Sequence, residues 1–136
     1  MSRRSQAREI AFQILYQDDL NPRGDAVAKD AMLQRRLASE ELVAFARELV
    51  AGVRHNREEI DGLIAQAAAN WSLERMASTD RNVLRLGAYE LLHTDVPDRV
   101  AIDEALELAK RYGSAQSAQF VNGILDRLMH GRRSDE

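Results

Sequence analysis

Apolar residues return every three or four positions along almost the whole of this chain, and no stretch alternates apolar and polar residues as a half-buried strand requires. A chain patterned in this way hides its apolar side chains only by packing helix on helix, so the implied fold class is all-α, a compact helical bundle. Ala7, Ile10, Ala11, Ile14 and Leu15 form the first stripe and predict a helix over about 4–19, stopped by Asn21-Pro22-Arg23-Gly24. A weaker helix over about 25–37 carries Val27, Ala31 and Met32 inward. Ser39 then caps the clearest one, with Leu42, Phe45, Ala46, Leu49, Val50 and Val53 on its core face. Asn56 with Glu59 three residues on has the pattern of a capping box and opens a further helix carrying Ile60, Leu63, Ile64 and Ala67. After Trp71, Ser72 caps a single turn through Met76. Another helix starts at Ser78 or Thr79 and turns Val83, Leu84, Gly87, Ala88 and Leu91 inward. Pro97 marks the next connection, and Gly113 ends the following helix in the left-handed position that glycine tolerates. The last helix starts near Ser117, with Ala118, Val121, Ile124, Leu125 and Leu128 inward. About seven helices in one domain over 1–136 are expected, with flexible ends at 1–3 and 130–136.

At 136 residues such a bundle buries roughly two-thirds of its unfolded surface and needs no covalent staple. The chain has no cysteine, so neither a disulfide framework nor a thiolate metal site is available, in keeping with a reducing cytoplasm. Its apolar runs are short and broken by charge, and its amino end bears arginine without the apolar stretch of a signal peptide. The expectation is a soluble cytoplasmic protein with no membrane contact. A net charge of −3 and a pI near 5.7 exclude broad, non-specific nucleic-acid binding, which needs a generally basic surface. Any nucleic-acid site must therefore be local. Arg3, Arg4 and Arg8 precede the first acid, Glu9, and make one basic cluster. Arg127, His130, Arg132 and Arg133 make a second, partly offset by Asp135 and Glu136.

Catalysis is hard to build from this inventory. His55, His93 and His130 lack metal-ligand spacing, and there is neither a glycine-rich phosphate loop nor a nucleophile elbow. The acid pairs Glu40-Glu41 and Asp103-Glu104 are neighbours on helices and point in different directions. The reading is a non-enzyme without metal or cofactor. For binding, Arg4 and Arg8 stand one turn apart at the border of the apolar stripe, with Phe12 one turn later. Guanidinium groups at that spacing suit successive phosphates or the face of a base, and they equally suit a plain solvated helix end. Phe120 lies off the stripe of its own helix, free either to stack an RNA base or to pack between helices. Gln116 and Gln119 bring neutral donors and acceptors to the same turn. Gly123, inside a helix at a cost of about 1 kcal/mol relative to alanine, predicts close approach of another helix.

Three blocks carry a further signal. Ala7-Arg-Glu-Ile-Ala-Phe-Gln-Ile-Leu-Tyr16 stands at the amino end and Asp80-Arg-Asn-Val-Leu-Arg-Leu-Gly-Ala-Tyr-Glu-Leu-Leu92 in the middle. The third, Val96-Pro-Asp-Arg-Val-Ala-Ile-Asp-Glu-Ala-Leu-Glu-Leu-Ala-Lys-Arg-Tyr-Gly113, leads into Phe120-Val-Asn-Gly-Ile-Leu-Asp126. In this order and spacing they resemble the NusB family of bacterial transcription antitermination factors, over nearly the whole chain. The resemblance implies a non-catalytic adaptor that binds single-stranded boxA RNA of nascent transcripts, chiefly from ribosomal RNA operons. It implies as partners the ribosomal protein NusE and the antitermination complex with RNA polymerase. It places Arg4 and Arg8, with Arg3 just outside, on the RNA, together with Phe120, Gln116 and Gln119. Tyr16 and Asp80 match the surface that meets NusE. The family often has a more continuous basic run where this chain has Ser5 and Gln6, and some relatives have an acid at the position of Gln116. Some self-associate through the RNA-binding face, which leaves a homodimer open here. Two alternatives stand beside this reading: the NusB-like domain of an RNA cytosine methyltransferase, and a helical interaction module without RNA binding. Three arginines each on a phosphate would give a salt slope near −2, at roughly −0.7 per phosphate of a single strand.

Overall fold

Side-chain caps set the starts of three helices and of one 3₁₀ turn. The computed structural model describes residues 2–69 and 71–134, with side chains as far as Arg132. Among them are seven helices: α1 Arg3–Leu20, α2 Ala26–Arg36, α3 Glu40–His55, α4 Arg57–Ala67, α5 Ser78–His93, α6 Asp98–Tyr112 and α7 Ser117–Ser134. Ser2 accepts from the Ser5 amide, Asp25 from those of Val27 and Ala28, and Ser39 from that of Leu42. Each bond satisfies an amide that a helix start leaves without a partner. Ser72 does the same for the 3₁₀ turn Leu73–Arg75 by accepting from Glu74.

Two boundaries fall where the sequence predicts them, for other reasons. Asn56 separates α3 from α4, yet it is no capping box: its side-chain amide turns back and donates to the Gly52 carbonyl at 2.8 Å. Gly113 ends α6 with φ −96° and ψ −166°, which is not left-handed. Glycine is required there because a Cβ would lie 2.3 Å from Ser117 Oγ and 2.5 Å from Ser117 Cβ.

Helix α5 is the axis of the bundle. It is buried from Asn82 to Leu91 and packs against α1, α3, α4, α6 and α7. Gly87 lets two of these neighbours close in, since a Cβ there would meet Leu125 Cδ1 at 3.0 Å and Ala105 Cβ at 3.2 Å. Gly52 on α3 makes the same allowance for the Tyr89 ring, whose Cζ lies 2.1 Å from where a Cβ would be. A central helix also buries its polar residues, and an unpaired ion in such a place costs several kcal/mol. Each of those on α5 is tied: Asn82 to Asp19 at 2.9 Å, Arg85 to Asp61 at 2.8 Å and Glu90 to Arg8 at 2.8 Å.

Helix α2 is the exception to the predicted stripes. Val27, expected inward, is 79% exposed, and Leu33 is the buried residue of this helix. Arg3 is already helical and α7 continues through Ser134, with Arg132 donating to Asp98 at 2.5 Å and to the Leu91 carbonyl. The expectation of flexibility at Met1, Asp135 and Glu136 lies outside the described residues. No helix among the described residues is long and apolar enough to cross a membrane.

Candidate nucleic-acid interface

The amino end of α1 is built to be positive. Its first turn has no acid and contains Arg3 and Arg4, both exposed, so their charges add to the positive end of the helix dipole. The Arg4 guanidinium carbon lies 4.7 Å from the centre of the Phe45 ring on α3, within cation–π range. Beside it is a cleft of about 490 Å³ whose lining includes Ser2, Arg4, Phe45, Thr94, Val96 and Pro97. Glu48, Asp95 and Glu104 also border that cleft, so its cationic character is confined to the α1 side.

Arg8 differs from the expectation. It is 3% exposed, against the solvated position predicted at the border of the stripe. Its Nε donates to both carboxylate oxygens of Glu90, at 2.8 and 3.1 Å, and a terminal nitrogen donates to one of them at 2.9 Å. Glu104 lies 3.5 Å from its other terminal nitrogen, and the Phe45 ring centre is 5.1 Å from its guanidinium carbon. Ser5, one of the residues interrupting the basic run, donates to that same Glu104 at 2.6 Å. Arg8 is thus almost wholly buried against Phe45, with its Nε and one terminal nitrogen held by Glu90, and it adds little exposed charge to the cleft it borders.

The second candidate group lies at the start of α7. Gln116, in the turn before the helix, and Gln119 are exposed, while Phe120 is half-buried against the core. Phe120 packs on the core with one side, as the second of its two readings has it, and its ring stands edge-on to Trp71, at 6.1 Å and 69°. Trp71 is 53% exposed and was not among the predicted site residues. The available signal was its isolation, as the one tryptophan of the chain in a polar connection between helices.

These two groups do not form one contact cluster. Helix α6 stands between α1 and α7 and packs on both. Its flank towards α1 borders a further cleft containing Glu9, Asp103, Glu104 and Glu107, with Arg111 as the cation among them. An anionic strand visiting both groups must skirt that acidic flank. The second basic cluster of the sequence is largely occupied by the fold: Arg127 donates to the Ala67 carbonyl at 2.6 Å, His130 bonds within α7 to the Asp126 carbonyl, and Arg132 pairs with Asp98.

Tyr16 lies towards the opposite end of α1 from Arg4, and Asp80 lies in the first turn of α5. Tyr16 is half-buried, its ring 6.2 Å from that of Phe12. Asp19, one turn further, accepts from Arg81 at 2.5 Å and from Asn82, tying this end of α1 to the first turns of α5, where Asp80 sits. Asp80 Oδ1 is buried with no hydrogen-bond partner among the described residues. No group of three acid or histidine side chains that could hold a metal ion occurs among the described residues.

The sequence matches the model of the NusB family over residues 5–130. The chain belongs to the NusB family. It is 47% identical over 132 residues to the transcription antitermination protein NusB of Anaeromyxobacter dehalogenans, covering 96% of this chain and 92% of that one. The fold is similar to that of T. maritima NusB, with a TM-score of 0.83 and 40% identity over 96% of this chain and 92% of that one. It is also similar to a chain in the crystal structure of the antitermination factors NusB and NusE in complex with double-stranded RNA. There the TM-score is 0.84 and the identity 28%, over 96% of this chain and 98% of that one.

Proposed function

We propose that this NusB-family protein is a transcription antitermination factor that binds boxA RNA of nascent transcripts together with ribosomal protein NusE. It acts in the cytoplasm as a non-catalytic adaptor within the complex that contains RNA polymerase. The observation that carries the reading is the likeness, along almost the full length of both chains, to a NusB that was crystallised with NusE and RNA. The exposed arginines at the start of α1 and the glutamine-aromatic group at the start of α7 support it, because they supply the two contact types that single-stranded RNA needs.

Arg3 and Arg4 hold phosphates, Phe120 stacks a base, and Gln116 and Gln119 address base edges. Arg8 acts indirectly by fixing Phe45, on which Arg4 rests. Tyr16 and the exposed part of Asp80 face NusE, so RNA and partner engage opposite ends of α1, about 18 Å apart at 1.5 Å per residue.

The test is a titration of boxA-type single-stranded RNA, a scrambled strand and a duplex of the same sequence, with and without NusE, at two salt concentrations. Tighter binding of the boxA strand with NusE present is the expected result. Equal binding of all three RNAs under every condition overturns the reading.

A further inference from the structure

Trp71 is a large aromatic side chain that the fold leaves half in water. Just over half of its surface is exposed, and it sits between α4 and the 3₁₀ turn with Phe120 as its ring neighbour. An indole left in water forfeits one of the largest apolar burials a residue can offer.

The surrounding chain is nonetheless held firmly. The Trp71 amide donates to the Ala68 carbonyl at 3.0 Å, and Arg127 reaches across from α7 to the Ala67 carbonyl at 2.6 Å. Ala69 adopts φ 55°, a left-handed conformation that costs an alanine energy and persists only where its surroundings impose it. Hydrogen bonds therefore hold the chain on both sides of Ala69.

Gly123 adds a separate observation. One turn beyond Phe120 on α7, its missing side chain relieves no packing: a Cβ there would meet nothing nearer than an Arg127 nitrogen at 3.8 Å. Close approach of another helix, the reason the sequence suggested, does not explain it. Phe120 with Trp71 edge-on to it, the bare backbone at Gly123 and the Arg127 guanidinium thus lie in sequence along one strip of α7.

We propose that Trp71 is a second base-stacking residue, which with Phe120 forms a two-ring platform for consecutive bases of a single-stranded RNA. The proposal rests on the RNA-binding reading given above and extends its α7 contact. Stacking suits this surface better than phosphate binding, because the cleft beside Trp71 is lined by one acid, Glu74, and one base, Arg75, and Arg127 is held by the Ala67 carbonyl. The rings therefore recognise π faces rather than charge.

Trp71 is the sole tryptophan, so its own fluorescence reports on the contact. The experiment titrates the full chain with a short boxA-type RNA, following both tryptophan fluorescence and a label on the RNA, and repeats it with Trp71→Ala, Trp71→Phe and Phe120→Ala. Circular dichroism verifies that each variant is folded.

Quenching of Trp71 at the same midpoint as the labelled RNA is expected. Trp71→Ala should weaken RNA binding by about 5- to 150-fold, the equivalent of 1–3 kcal/mol for one stacked base. Trp71→Phe should retain most of the affinity, and the salt slope should be unchanged in both. Wild-type affinity in Trp71→Ala, with Phe120→Ala impaired, overturns the platform while the RNA-binding reading stands. Loss of NusE binding with RNA affinity intact also overturns it, by making Trp71 a protein contact. Absence of RNA binding by the unmodified protein with NusE present removes both.

Discussion

Arg4 and Arg8 are one turn apart and identical in type, yet they belong to different parts of the energetics. Arg8 is buried against Glu90, with the partly exposed Glu104 3.5 Å away, and removing the cation leaves the buried Glu90 carboxylate uncompensated. Arg8→Ala should lower stability by about 3–5 kcal/mol, read from urea unfolding. Arg8→Lys should recover only part of it, because an ammonium lacks the fork that meets both oxygens of Glu90. Arg4→Ala loses only an exposed cation–π contact worth about 0.5–1 kcal/mol, so its unfolding curve should stay close to wild type while RNA binding weakens. With Arg8 enclosed, two arginines rather than three are exposed at the start of α1. Replacing both Arg3 and Arg4 should therefore reduce the salt slope by about 1.4, at 0.7 per phosphate, and an unchanged slope would place the phosphates elsewhere. The exposed half of this site was legible in the sequence, as arginines ahead of the first acid. The buried half was not, because Arg8 takes its role from Glu90, 82 residues away in the chain, and helical spacing alone carries no record of such a partner.

Glycines separate the helices whose packing is tight from those whose surface is free. Gly52 and Gly123 both lie inside helices, where each costs about 1 kcal/mol relative to alanine, and the structure gives opposite forecasts for replacing them. Gly52→Ala drives a methyl into the Tyr89 ring, whose nearest atom would be 2.1 Å away, and should destabilise by about 1–3 kcal/mol through overpacking between α3 and α5. Gly123→Ala meets no atom within 3.8 Å and should stabilise α7 by up to about 1 kcal/mol. Thermal unfolding of the two variants should move in opposite directions, and a loss of stability in both would mean that α7 packs more closely than described. The order of the helices was readable throughout because capping is local: Ser39 and Ser72 start their elements with the bonds their positions predict. Contacts made across the bundle were not readable. Gly113 is dictated by Ser117 folding back on it, Gly123 is set by no neighbouring helix, and Val27 faces solvent because α2 turns Leu33 inward instead.

At the level of the whole molecule, the two acids at the end of α1 join that helix to four others. Carboxylates at a helix C-terminus oppose its dipole and should be unfavourable there, so their retention requires strong partners. Asp18 accepts from Lys29 of α2 and Arg54 of α3, each at 2.7 Å, and Asp19 accepts from Arg81 and Asn82 of α5, with Arg57 of α4 3.8 Å away. Burial pushes both carboxyls up, but hydrogen bonds and charge from Arg54 and Lys29 outweigh it at Asp18, as those from Arg81, Asn82 and Arg85 do at Asp19. Both end below the ordinary value of 3.8. A carboxyl whose folded pKa is depressed binds its proton more weakly in the folded chain than in the unfolded one. Its contribution to stability is therefore fully present above the unfolded value and is lost as pH falls through the folded one. Acid should loosen the molecule at this junction, with the urea midpoint falling progressively from about pH 5 towards about pH 2. A double variant, Asp18→Asn with Asp19→Asn, should be less stable than wild type at neutral pH and lose less on acidification, so that the two curves converge in acid. Parallel curves would assign acid sensitivity to other carboxylates. Because the junction adjoins Tyr16 and Asp80, the same variant should bind NusE less well at neutral pH while its Arg3 and Arg4 contacts with RNA, at the far end of α1, are retained.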